Sequence, residues 1–393
     1  MATPFTRRLD AVARELASKK GSGRWCASRI AAAERAILDR IPLVDLVLEV
    51  RDARIPTTSA FESLRKACCS HKQVIVLNKV DLANDSLTKK WIENFKNQNY
   101  PTCGLNAHNK DSIKELLRIV RAKLKELKFG QSKYTATILL AGIPNVGKSS
   151  IANNMHQIGR IGAAEKGKLK HAVVSPYPGE TEDISSYKFG SHPNLYVLDT
   201  PGILRPEIAH YHSGAKLALT GAIKDNLLDE HELARYFLAI LNLSEEYKRW
   251  VTPKDTTYSM PGSLEKHRRK GQYASDFTQD FIVKDVRQTL FDCISSFEGD
   301  LENECDMERL IESQIKALQV PLKASLESSA HRHSTVATKL LKLYRTGRLG
   351  HYTLDLVKDE QCHQCHVHWV LHFLVLLAWE MEKLDANATV ATS

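Results

Sequence analysis

Along the chain, apolar and polar positions follow two rhythms. Residues 43–50, LVDLVLEV, form a mostly apolar run, the pattern of a strand covered on both faces in a parallel sheet. Similar runs follow in QVIVLNK ending at Lys79, near Cys103, in TATILLAG ending at Gly142 and in NLYVLDT ending at Thr200. Between them the period becomes helical, notably from Ser112 to Leu127, where Ile113, Leu116, Leu117, Val120, Leu124 and Leu127 recur on one face. Strands alternating with helices predict an α/β domain with a mostly parallel sheet from about Val44 to Arg205. After Pro206 the pattern is helix upon helix. Leu227, Leu228, Ala234, Phe237, Leu238 and Leu241 share one stripe, and Met307, Leu310, Ile311, Ile315 and Leu318 share another. A further stripe, Val336, Leu340, Leu343 and Tyr344, has Lys339, Lys342 and Arg345 on a different face.

Composition bounds this picture. The chain has 393 residues, 43% hydrophobic and 26% charged, which excludes collagen-like and low-complexity polymers and predicts two or three domains. Its longest apolar run, Trp369 to Trp379, is broken by His372 and falls short of the roughly 20 residues of a bilayer span. It reads as a buried helix, with peripheral membrane contact left open. The formal net charge of +9 favours a polyanionic partner. The first 40 residues supply nine Lys/Arg against four Asp/Glu, and a basic amphipathic start of this kind reads as a transit peptide, despite Asp10 and Glu15. The other reading is an ordinary surface helix. Eight cysteines without a secretory segment point to a reducing compartment.

The chemistry begins at Gly142. The stretch GIPNVGKS, Gly142 to Ser149, matches GxxxxGK[ST] and lies directly after an apolar strand and before a helical pattern. Backbone N–H groups from Gly142 through Asn145, Val146, Gly147 and Ser150 are expected to wrap phosphate oxygens, with Lys148 reaching the β and γ phosphates and Ser149 ligating Mg²⁺. DTPG at another strand end supplies Asp199 for the Mg²⁺ water shell and the Gly202 N–H for the γ phosphate. Between them, PGET carries Thr181, a hydroxyl able to close onto Mg²⁺ when the γ phosphate is present. NKVD, Asn78 to Asp81, is expected to read the base: the Asp81 carboxylate would accept from guanine N1–H and N2–H, donors that adenine lacks, which argues for GTP over ATP. Lys79 belongs to the same turn, and in LNAH the Ala107 N–H is placed against guanine O6.

The order of these elements is inverted relative to an ordinary small GTPase, because the base reader at 78 precedes the phosphate loop at 142. The domain is therefore read as circularly permuted, which sheet geometry permits.

With VRDARIP (Val50 to Pro56), NKVD, GIPNVGKSS, PGET, DTPGIL and LALTGAIKD (Leu217 to Asp225), the chain resembles the circularly permuted YlqF/RbgA GTPases and their mitochondrial relatives. The likeness covers about Trp25 to Phe297, with a shorter likeness to mitochondrial members at YRTGRLGHYTLD, Tyr344 to Asp355. The resemblance implies a permuted P-loop GTPase domain followed by an all-helical domain that contacts ribosomal RNA. It also implies a role in assembling the large ribosomal subunit of an organelle, a mitochondrion or alternatively a plastid. The expected divisions are a targeting segment at 1–24, the GTPase domain at 25–210, the helical domain at 211–322 and an extension at 323–393, in a monomer.

Several positions depart from pattern. Ras-like enzymes orient the attacking water with a Gln just after DxxG; here that place is Ile203, so intrinsic hydrolysis is expected to be slow. Asn145 resembles the asparagine that in related GTPases helps to hold K⁺ at the phosphates, with a loop residue satisfying its own backbone as the plain reading. Where family members carry a catalytic histidine near the N terminus, this chain has Arg29. Either it stabilises phosphate charge in cis or it is a surface arginine, since a guanidinium does not act as a base. Asp52 and Arg54 read either as a structural ion pair, the favoured reading, or as contacts to the partner. The KHRRK cluster at 266–270 and the basic face at Lys339, Lys342 and Arg345 read either as RNA phosphate contacts or as solvated charge. CHQCH at 362–366 has the spacing of haem attachment and offers zinc ligands, but lacks a second ligand pair. The leading expectation is a GTP hydrolase with GTP, Mg²⁺ and K⁺ as ligands. The rival is a non-hydrolysing, nucleotide-bound RNA scaffold, which Ile203 and Arg29 keep alive.

Overall fold

A computed structural model of the chain describes residues 23–128, 134–163, 184–191, 193–204, 211–223, 230–244, 247, 250, 281–301, 303–324, 329–355 and 357. The six strands are β1 Leu46–Asp52, β2 Gln73–Asn78, β3 Thr102–Leu105, β4 Thr135–Ala141, β5 Ser185–Ser191 and β6 Asn194–Asp199. They form one sheet in the order β3-β2-β1-β4-β6-β5. Every pairing is parallel except the β5–β6 hairpin at the edge.

The strand order explains where a ligand can go. The chain moves outward from β1 through β2 to β3, then returns to the other flank of β1 with β4. Connections leave in opposite directions from β1 and β4, so a crevice opens at the carboxyl ends of these two strands. The phosphate loop follows β4 and the DAR segment follows β1, one on each side of that crevice.

The strands fall where the apolar runs predict them. β1 and β2 are buried along their whole length, as doubly covered parallel strands must be. Yet β1 carries Glu49, Arg51 and Asp52 into that interior. Burial of these charges is tolerable because they are paired and hydrogen-bonded. Arg51 Nε and Nη2 each donate to Glu49 at 2.8 Å, Arg51 Nη1 donates to Pro56 O, and Glu49 Oε1 also accepts from Phe61 N.

Helices α1 Gly23–Leu38, α2 Glu62–Ala67, α3 Asp85–Asn97, α4 Lys110–Leu127, α5 Lys148–Ala163 and α6 Tyr211–Leu219 accompany the sheet. α4 shows why its sequence is helical. Asn109 caps it by accepting from Asp111 N and Ser112 N, and Ile113, Leu116, Leu117, Val120 and Leu124 form its buried stripe.

The chain divides into two compact units. The sheet unit runs to Asp229 and regains the chain at Gly350–Glu360. The other unit, Glu230–Leu349, contains α7 Glu230–Leu243, α8 Phe281–Ser295, α9 Glu304–Ala317 and α10 Ser329–Arg345. The expected boundary at 210 thus falls inside the sheet unit, and the reason is local bonding. Arg54 Nη2 donates to Thr220 O, and Asn145 Nδ2 donates to Gly221 O, so α6 and its following turn stay with the phosphate and DAR loops. The expected division at 322/323 also falls within a unit, because α10 packs on α7, with Phe237 and Tyr344 in ring contact at 4.7 Å. In the same unit the buried amides of Asn242 and Gln314 exchange two hydrogen bonds between α7 and α9. Among the described residues, no helix is long and apolar enough to cross a membrane. Residues 1–22 of the expected targeting segment at 1–24, KHRRK, CHQCH and the apolar run at 369–379 lie outside the described residues, and residues 23 and 24 begin α1.

Candidate nucleotide site

The guanine-reading turn leaves the carboxyl end of β2. Asn78 is buried, and its amide binds two other loops: Nδ2 donates to Val146 O at 2.7 Å, while Oδ1 accepts from Ala107 N at 3.0 Å. One side chain therefore fastens the base loop to the phosphate loop and to the loop after β3. The Ala107 N–H, offered to guanine O6 by sequence reasoning, thus has Asn78 Oδ1 as its acceptor here. Ala107 O in turn accepts from Asn154 Nδ2 on α5. Lys79 takes a left-handed conformation at φ 63° and starts the short 3₁₀ helix Val80–Leu82, which presents Asp81 exposed.

Lys79 has a partner that the motifs do not announce. Its Nζ lies 2.9 Å from Asp52 Oδ2, and Asp52 also pairs with Arg54 at 2.8 Å. Burial pushes the Asp52 carboxyl up, but the Arg54 and Lys79 charges more than reverse this and hold it far below the usual carboxylate range. Burial also lowers the Lys79 ammonium, with Asp52 opposing. The structural ion pair expected within the DAR segment is therefore a three-charge cluster that reaches the guanine loop.

The phosphate loop is shaped by close approach. Gly147, at φ 98°, leaves no room for a Cβ, which would stand 2.2 Å from Asn78 Nδ2. Gly202 packs as closely, since a Cβ there would meet Pro144 Cα at 2.5 Å. The DTPG segment is thus laid directly on the phosphate loop, joined further by Ile203 N donating to Gly142 O at 3.3 Å. Lys148 opens α5, is buried, and donates through Nζ to Ile143 O at 2.9 Å. Burial lowers its ammonium to about 8, against the opposing charge of Asp199.

Asp199 is buried at the end of β6, and neither carboxylate oxygen is in a hydrogen bond. Burial pushes its carboxyl up, with the neighbouring Ser149 hydroxyl and Lys148 ammonium pulling down. A buried carboxylate with unbonded oxygens beside a hydroxyl suits a hard divalent cation, so the donor set fits Mg²⁺. Among the described residues, no cluster of three or more His, Cys, Asp or Glu forms a separate metal site.

Other expected residues are placed differently. Asn145 has φ 59°, and its side-chain amide donates to Gly221 O at 2.7 Å. Ile203 is buried among Ile37, Ile41, Val44 and Ala141, deep in a hydrophobic cluster. Arg29 lies on α1, its side chain outside the described residues, as is Thr181 altogether. Of the expected basic face, Lys339 donates through Nζ to Leu322 O at 2.8 Å and is thus bonded within the helical unit.

The chain is similar to several known GTPases. A family described as "50S ribosome-binding GTPase" matches residues 137–259. "DAR GTPase 2, mitochondrial" of Arabidopsis thaliana is 52% identical over 91% of this chain and 97% of its own length. "Short integuments 2, mitochondrial", from the same plant, is 39% identical over 88% of this chain and 92% of its own. "Ribosome biogenesis GTPase A" of Bacillus licheniformis is 30% identical over 69% of this chain and 96% of its own. The chain belongs to the YlqF/RbgA family of circularly permuted GTPases, in which the guanine reader precedes the phosphate loop.

Proposed function

We propose that this protein is a GTP-hydrolysing switch in assembly of the large ribosomal subunit of an organelle, a mitochondrion on the names of its plant relatives. The GTP form docks on the nascent subunit through rRNA, and hydrolysis releases it. The observation that carries the reading is the Asn78–Val146 hydrogen bond, which joins the base reader to the phosphate loop so that one nucleotide can bridge Asp81 and Lys148. In this reading Lys148 neutralises the β and γ phosphates, and Ser149, Thr181 and Asp199 hold Mg²⁺. Bound Mg²⁺ supplies positive charge to the phosphates as charge develops on them. Gly202 reports the γ phosphate to the segment entering α6.

Burial of Ile203 supports slow intrinsic hydrolysis, because an apolar side chain in the core neither orients nor polarises water. Stimulation would come from the ribosomal partner, from K⁺ held with help from Asn145, and from Arg29 as an arginine in cis. The buried Ile203 also supports the rival, a nucleotide-bound scaffold without turnover. Multiple-turnover phosphate release, with and without large subunits and in K⁺ against Na⁺ at matched ionic strength, separates them. The switch predicts turnover that rises with subunits and with K⁺. A chain that releases no phosphate under any of these conditions is a scaffold, and equal rates in the two salts remove the K⁺ role.

A further inference from the structure

After Leu349 the chain re-enters the sheet unit as a short strap, Gly350–Asp355, whose residues the nucleotide motifs do not include. Asp355 is buried, and both of its carboxylate oxygens are bonded. Oδ2 accepts from Thr57 N and Thr58 N at 2.8 Å each, and Oδ1 accepts from Thr58 Oγ1 at 2.8 Å and Lys216 Nζ at 2.9 Å. Trp91 Nε1 donates to Asp355 O at 3.2 Å. The strap also grips both flanks of the guanine-reading turn. Leu354 N donates to Arg54 O at 2.7 Å, two residues from the Asp52 carboxylate that holds Lys79, while Thr353 Oγ1 accepts from Asn84 N at 3.1 Å, three residues beyond Asp81. Val357 continues the contact against the cluster of Ala53, Leu77, Ala83 and Trp91 beneath that turn.

We infer that Asp355 and its strap are a positioning element for guanine recognition: the strap holds the DAR loop and the turn at Asn84 in register, and so sets where Asp81 meets the base. Asp81 sits on one short exposed 3₁₀ turn between two anchor points, and the strap bonds both. A buried carboxylate that accepts four hydrogen bonds, two from consecutive backbone amides and one from an ammonium, resists displacement far more than a neutral contact does. Asparagine at 355 supplies one carbonyl oxygen in place of two, and its NH₂ group faces donors, so the loop must shift.

This inference rests on the proposed guanine site, and its test separates the two. Dissociation constants for GDP, IDP and GTP are measured by calorimetry on the full-length wild type, Asp355→Asn and Thr353→Val. IDP lacks the N2 donor read by Asp81, so the GDP-over-IDP ratio reports the position of Asp81, and the GTP-over-GDP ratio reports the phosphate side. The strap predicts that Asp355→Asn lowers the GDP-over-IDP preference about tenfold, Thr353→Val lowers it less, and both keep the wild-type GTP-over-GDP ratio. If Asp355→Asn weakens GDP and IDP by one common factor, its role is merely structural and the inference fails. Should that variant not fold, Thr353→Val decides: an unchanged GDP-over-IDP ratio overturns the inference. A wild type without preference for GDP over IDP overturns the guanine site itself, a result distinct from either.

Discussion

The base side and the phosphate side of the nucleotide site use burial in opposite ways. On the base side the polar groups are held by protein partners: both ends of the Asn78 amide are bonded, and Lys79 pairs with Asp52, a carboxylate it shares with Arg54. On the phosphate side, Asp199 is buried with its oxygens unbonded, and Lys148 is desolvated until its ammonium falls to about 8. Buried polar groups left unsatisfied are costly, and they persist where a ligand completes them. The base half is therefore preorganised by the protein, whereas the phosphate half is completed by the triphosphate and its cation. That division suits a switch, since the base anchors both nucleotide states while the γ phosphate alters one side.

Removing Lys148 should break the comparison most severely. Lys148→Ala should weaken GTP binding by about two to three orders of magnitude, while guanosine, which has no phosphates, binds as in the wild type; calorimetry with both ligands checks this. Equal weakening of the two would mean that the halves are not separable.

Asp52→Asn acts on the base half through stability. Removing one partner from a buried charge cluster costs about 3 kcal/mol, read by chemical denaturation at neutral pH. The pH dependence has a definite sign. The folded Asp52 carboxyl lies below its unfolded value near 4, so its stabilisation is present above about pH 4 and fades as pH falls through the lower folded value. The stability gap between wild type and Asp52→Asn should therefore narrow below about pH 4, and a gap that stays constant would contradict the pairing.

The smallest effect belongs to an ion pair outside both halves. Lys89 and Asp85 pair on the surface of α3 with side chains 74% and 81% exposed. Lys89→Ala should move the melting temperature by no more than about 1 °C, and the GTP and guanosine affinities not at all.

Local signals made most of this molecule legible. GIPNVGKS, NKVD and DTPG each follow an apolar run, and the structure seats each at the carboxyl end of a strand in one sheet. The burial of β1 and β2 and the stripe of α4 were visible for the same reason: a continuous apolar run and a period of 3.6 are both written in neighbouring residues. The connections among those segments were hidden. Asp355 reaches Thr57 across 298 positions, and Arg54 reaches Thr220 across 166, and no short-range pattern encodes contacts of that span. The partner of Lys79 was hidden for a subtler reason, because Asp52 already had a plausible partner two residues away in Arg54. The boundary at 210 was misplaced because the texture becomes helical there, while hydrogen bonds to Thr220 and Gly221 keep that helix with the sheet unit.

The central claim, that a single pocket takes guanine at Asp81 and triphosphate at Lys148, is tested most directly by a crystal structure with a non-hydrolysable GTP analogue and Mg²⁺. The account predicts the guanine N1 and N2 within hydrogen-bonding distance of the Asp81 carboxylate, and Lys148 Nζ moved from Ile143 O onto the β and γ phosphates of the same nucleotide. A nucleotide whose phosphates lie in the Gly142–Ser149 loop while its base points away from Asp81 would contradict it.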